Sequence, residues 1–122
     1  MGLLDPFRRF FRRMAESDEQ RYAEEIREWA SKVPAAVPIA QAPVRSRAKL
    51  AGVVRRITVR PLEGSESLEA IMFDGTGEVT VVWMGRRSIH GLNLGTRLIV
   101  EGMVAEQRSG RRVVNPTFEF AA

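Results

Sequence analysis

Arginine dominates the chemistry available to this chain. Arg55, Arg56 and Arg60 form one group, Arg86 and Arg87 a second, and Arg108, Arg111 and Arg112 a third. A guanidinium is planar, permanently charged and carries a fork of N–H donors, so groups of this kind capture oxyanions such as phosphate. Phe73 lies between the first two groups and offers a flat ring for stacking on a planar ligand. Thr80 adds a hydroxyl on the following strand-like run. Together they describe a binding surface for a polyanion with flat substituents.

Catalytic patterns are missing by comparison. Asp74-Gly75-Thr76-Gly77 superficially resembles an aspartic-protease motif, but the glycine after Asp74 breaks the pattern and there is no second copy. Ser88 and His90 stand two apart without an acid partner or a nucleophile elbow. No glycine-rich loop carrying a lysine is present to cradle a nucleotide phosphate. With no cysteine and the single histidine His90, neither disulfides nor a zinc site are expected. The expectation is a protein that catalyses nothing and needs no cofactor.

Bulk composition agrees with a small globular domain plus an appendage: 122 residues, 44% hydrophobic and 28% charged. The formal charge is +4 and the pI about 10.6. From Val44 onward, twelve Lys/Arg face eight Asp/Glu, so this segment carries the whole excess. A basic excess suits a polyanionic partner, although an arginine bias can also come from genome base composition. No apolar run approaches the roughly 20 residues that cross a bilayer. Arg8, Arg9, Arg12 and Arg13 interrupt any secretory h-region, and a cytoplasmic location is expected.

The elements that must position these groups fall into three segments. Residues 1–33 read as an amphipathic helical leader. Leu3, Leu4, Phe7, Phe10, Phe11 and Met14 recur at helical spacing opposite the four arginines. A second helix is predicted from Ser17, where Ser17-Asp18-Glu19-Gln20 fits a capping box, with Tyr22, Ile26, Trp29 and Val33 as its stripe. Residues 34–43 hold Pro34, Pro38 and Pro43 and read as an extended linker. Residues 44–122 then turn strand-like: Leu50–Val59, Leu68–Phe73, Glu78–Met84, Arg97–Glu106 and Arg111–Phe120. Asp74-Gly75-Thr76-Gly77 and Arg108-Ser109-Gly110 are hairpin turns. Ser88–Gly95 leaves room for one helical turn ended by Gly95, and Gly102 within a strand suggests a bulge or sharp bend. Five short strands with a helical interruption after the third give a mainly β fold in the strand order of a five-stranded OB-fold barrel. Other small barrels fit the same pattern.

Residues 47–120 resemble the OB-fold nucleic-acid-binding family that includes tRNA-anticodon-type domains and the wedge domain of branched-DNA helicases. The likeness is carried by Ala51-Gly52-Val53-Val54, by Phe73-Asp74-Gly75-Thr76-Gly77-Glu78-Val79, by Gly95-Thr96-Arg97-Leu98-Ile99-Val100-Glu101-Gly102 and by Asn115-Pro116-Thr117-Phe118-Glu119. The chain looks like small stand-alone bacterial proteins that carry one such domain behind a short helical leader. The resemblance implies binding of single-stranded or branched nucleic acid, DNA ahead of RNA. The ligand would lie across strands two and three, between the one–two and four–five loops. Arg55, Arg56, Arg60, Arg86, Arg87, Arg108, Arg111 and Arg112 would then bind phosphates, with Phe73 and Thr80 on the stacking face.

Strand alternation places Ala70, Met72, Val79, Val81 and Trp83 in the core, and Glu69, Ile71, Phe73, Thr80, Val82 and Met84 outside. Phe73 could equally cover a barrel end or pack under the leader. Glu69 stands where anticodon-type members carry an aromatic residue. The leader's apolar stripes call for burial, so packing on the barrel, self-association or a protein partner through residues 3–33 is expected in preference to a membrane surface.

Overall fold

A computed structural model describes residues 5–62, 64–108 and 110–122. A helix, α1 (Asp5–Ser31), leads into a single 3-10 turn at Ile39–Gln41. Six strands follow: β1 (Arg47–Leu62), β2 (Ser65–Phe73), β3 (Glu78–Met84), β4 (Arg97–Gln107), β5 (Gly110–Val114) and β6 (Thr117–Phe120). The sheet order β1-β2-β3-β5-β4 returns to β1, because the first half of β1 pairs with β4 and its second half with β2. The ring has five strands, with β3 and β5 parallel and every other pairing antiparallel. This is the OB barrel expected from the strand order.

Alternation drives closure. Leu50, Val54, Leu68, Ala70, Met72, Val79, Val81, Leu98, Val100, Val104 and Val113 all point inward and are fully buried. Trp83 joins them, packing edge-on against Phe118 with ring centroids 5.4 Å apart. Val82 departs from the expected pattern: it lies on the outer face yet is buried.

Four other expectations are corrected. The leader is one helix. Ala15 and Glu16 favour the helix, and no glycine or proline separates Met14 from Ser17, so the capping-box residues continue it. The fifth strand run divides into β5 and β6 at Asn115, whose φ is +48°, and Pro116, which lacks an N–H for the ladder. Ser88–Gly95 forms turns and no helix. The bulge lies at Arg55, between Val54 and Arg56, while Gly102 stays in register with Ala48. Gly102 is needed for space: a Cβ there would come within 2.9 Å of Val113 and 3.3 Å of Pro116.

The proline-rich segment is packed against the barrel. Ile39 and Ala42 are fully buried, and Val37 donates its N–H to the Lys49 carbonyl. Its main tether is Asp74 in the β2–β3 turn, a carboxylate only 2% exposed. One oxygen accepts the Ile39 N–H at 2.9 Å; the other accepts Thr76 N–H, Thr76 Oγ1 and Gly77 N–H. Asp74 thus caps its own turn, as its position suggested, and also holds the preceding segment.

Above the same turn lies α1, which buries Ile26 and Ala30. Close approach is possible because residue 75 is glycine, with φ +88°; a Cβ there would stand 2.5 Å from the Ala23 carbonyl oxygen. Gly75→Ala is therefore expected to cost about 1–3 kcal/mol, read as a lower urea midpoint, and to change the fluorescence of Trp29 as the helix is pushed away. Asp74→Ala leaves buried N–H groups unpaired and is expected to destabilise by at least about 2 kcal/mol; an unchanged midpoint would show that the tether contributes little.

Candidate nucleic-acid interface

Strand pairing organises the outer face of β1, β2, β3 and β5 into three cross-strand rows. Arg60, Ser67 and Met84 form the first; Thr58, Glu69 and Val82 the second; Arg56, Ile71, Thr80 and Arg112 the third. Rows two residues apart make a floor roughly 13 Å long. These ten residues line one open groove of about 480 Å³. Three guanidinium groups face one carboxylate, and Glu69 is already paired with Arg60 at 2.6 Å. The pair leaves the groove with a net positive charge.

Arg112 stands at the β5 edge of the groove. One terminal nitrogen donates to Gln107 Oε1 at 2.9 Å, while its shielded Nε has no hydrogen-bond partner among the described residues. Arg56 is exposed on the opposite edge. The structure therefore brings together Arg56, Arg60, Thr80 and Arg112 of the residues singled out from sequence.

The other candidates lie elsewhere. Arg87 is paired with Glu66 at 2.8 Å. Arg86 follows β3, and Arg108 occupies the β4–β5 turn; both are exposed. Arg111 turns away from the groove, donating to the carbonyls of Ala40 and Ala42 at 3.0 Å each. That side chain fastens the proline-rich segment.

Phe73 continues the line of Ile71 to the end of β2, where its ring does not stand free. The Arg55 guanidinium lies 4.4 Å above the ring centroid, and Tyr22 of α1 packs at 6.2 Å. Arg55 is held there by Glu78 at 2.9 Å. The bulge that displaces Arg55 from the β1–β2 register also separates it from the groove-lining Arg56. Packing under the leader, the alternative considered for Phe73, is what the side chain does. Groove residues that were not singled out include Thr58 and Ser67. The period of two running from Arg56 to Arg60 marks Thr58 as belonging to the same face.

Comparison with solved structures agrees with the architecture. The chain superimposes on the solution structure of a replication factor A related protein from Methanobacterium thermoautotrophicum with a TM-score of 0.59 and 15% identity, over 70% of this chain and 90% of that one. At this identity the likeness concerns the fold. No protein-family model matches the sequence, and no curated protein matches it.

Within the groove, Arg60 and Glu69 form the shortest ion pair on the binding face. Glu69→Gln frees the Arg60 guanidinium and removes the one carboxylate in the groove. Fluorescence anisotropy with a labelled oligonucleotide is expected to show tighter binding, by roughly five-fold, the equivalent of about 1 kcal/mol. Weaker binding would mean that Glu69 contacts the ligand itself.

Proposed function

We propose that this protein is a non-catalytic nucleic-acid-binding module that takes single-stranded or branched DNA, ahead of RNA, along the groove formed by β1, β2, β3 and β5. One observation carries the reading: Arg56, Arg60 and Arg112 line the face on which OB barrels receive oligonucleotides, and the single carboxylate among them is internally neutralised. The structural neighbour, a replication factor A related protein, shares the barrel fold on which this reading rests. A cytoplasmic location fits that role. Among the described residues, no helix is long and apolar enough to cross a membrane.

The mode of binding follows from what the groove contains. Its flat, charged groups are guanidiniums, and its apolar floor is Ile71, Val82 and Met84. Because the Phe73 ring already carries Arg55 over it and Tyr22 beside it, stacking on aromatic rings contributes little and phosphate contacts dominate. Guanidiniums can still lie flat under bases. Little sequence preference is expected from such a surface, and binding through phosphates displaces condensed counterions.

The logarithm of the association constant is accordingly expected to fall with the logarithm of salt concentration with a slope of about −1.4 to −2.1, for two or three neutralised phosphates on a single strand. Arg56→Gln and Arg112→Gln should each make that slope shallower by about 0.7. Arg111→Gln should lower stability and leave the slope as it is. A slope near zero, or equal losses for Arg111→Gln and Arg112→Gln, would falsify the assignment of the groove.

A further inference from the structure

Among the described residues, the apolar side chains in the first half of α1 stay exposed. Phe10, Phe11 and Met14 are 58%, 63% and 49% exposed. The helix begins to meet the barrel only near Glu19 and Tyr22, and its buried positions are Ile26 and Ala30. Helix geometry explains why the stripe is stranded. At 100° per residue, Phe10, Phe11 and Met14 point roughly 100° away from the direction of Tyr22, Ile26, Trp29 and Ala30. Since α1 is one uninterrupted helix, docking its second half turns the first-half stripe away from the barrel.

Charge is divided along the same helix. Arg8, Arg9, Arg12 and Arg13 are all exposed on the face opposite the stripe, accompanied in residues 5–14 by Asp5 alone as an acid. Residues 16–31 carry Glu16, Asp18, Glu19, Glu24, Glu25 and Glu28 against Arg21 and Arg27. Cations at the beginning of a helix and anions toward its end oppose the macrodipole, so this arrangement does not serve the isolated helix. It serves a partner that is anionic where the stripe is apolar.

A second copy fits poorly. Pairing two such stripes would bury only Phe10, Phe11 and Met14 from each copy, well below the roughly 800 Å² per partner of a stable interface, and the apolar positions of the acidic half are already used by the barrel. A nucleic-acid backbone would satisfy the arginines but leave two phenylalanines and a methionine in water. We infer that residues 8–14 of α1 are an interfacial anchor for an anionic lipid bilayer. Phe10, Phe11 and Met14 enter the boundary between headgroups and acyl chains, and Arg8, Arg9, Arg12 and Arg13 lie among the anionic headgroups. The anchor places the barrel beside the membrane without spanning it. It is independent of the groove and of the nucleic-acid reading.

The test uses the full chain in co-sedimentation with vesicles of phosphatidylglycerol and phosphatidylcholine, and with vesicles of phosphatidylcholine alone. Binding is expected to the first and not to the second. Two variants separate the contributions, each checked for unchanged circular dichroism and urea midpoint: Phe10→Gln with Phe11→Gln, and Arg8, Arg9, Arg12 and Arg13 all replaced by Gln. Both should lose vesicle binding, the arginine variant by two to three orders of magnitude at about five-fold per residue. The phenylalanine variant should bind oligonucleotide as before.

Equal binding to both vesicle types, no binding to either, or full retention after Phe10 and Phe11 are replaced overturns the proposal. So does a dimer, seen by sedimentation velocity, that the phenylalanine variant abolishes and anionic vesicles do not dissociate. Loss of oligonucleotide binding in the arginine variant, without vesicle binding by the unaltered chain, would assign the helix to nucleic acid instead.

Discussion

The Asp74 carboxylate accepts hydrogen bonds from the turn that joins β2 to β3 and from the backbone of Ile39, thirty-five residues earlier. A buried ionised group must have its oxygens satisfied to be tolerated, and here both are. One shapes the turn, and the other accepts an N–H from the segment that would otherwise be a loose tether. With Ile39 seated in the barrel and Gly75 admitting the Ala23 carbonyl, α1 leaves the barrel along one defined path. Arg111 reinforces the arrangement from the opposite strand by binding the carbonyls of Ala40 and Ala42.

Because α1 is fixed over the β2–β3 turn, Tyr22 meets Phe73, and the Arg55 guanidinium also lies over the Phe73 ring. A ring that strand alternation directs toward the ligand face is thereby committed to the protein's own packing. What remains open to solvent is a surface of arginines, hydroxyls and a few apolar side chains. On the proposed reading such a surface binds through charge, reads little sequence and responds steeply to salt.

The same helix has two electrostatic and apolar characters. Its second half is acidic and apolar toward the barrel; its first half is basic and apolar in another direction. Docking on the barrel and the proposed anchoring thus fall on different faces of one continuous helix. A break between Met14 and Ser17 would have let the first half fold back onto the barrel. Helix-favouring residues at that point prevent it.

Period-two alternation was enough to determine the mainly β barrel, the inward set from Ala70 to Trp83 and the hairpin at Asp74. Whether a side chain faces in or out is a local property of a strand. The outward position of Thr80 was legible for the same reason, while Arg56 and Arg60 were read only as a cluster with Arg55 in and just after the first strand run. Tertiary structure alone decided which outward residues share a groove. Arg111 and Arg112 are neighbours in sequence, yet one grips the proline-rich segment and the other lines the binding face. Arg55 and Arg56 are separated by a bulge that no residue type announces. The fates of Phe73, the proline-rich segment and the exposed phenylalanines all rest on how α1 docks, which depends on contacts between residues far apart in the chain and on a rotation accumulated along 27 helical residues.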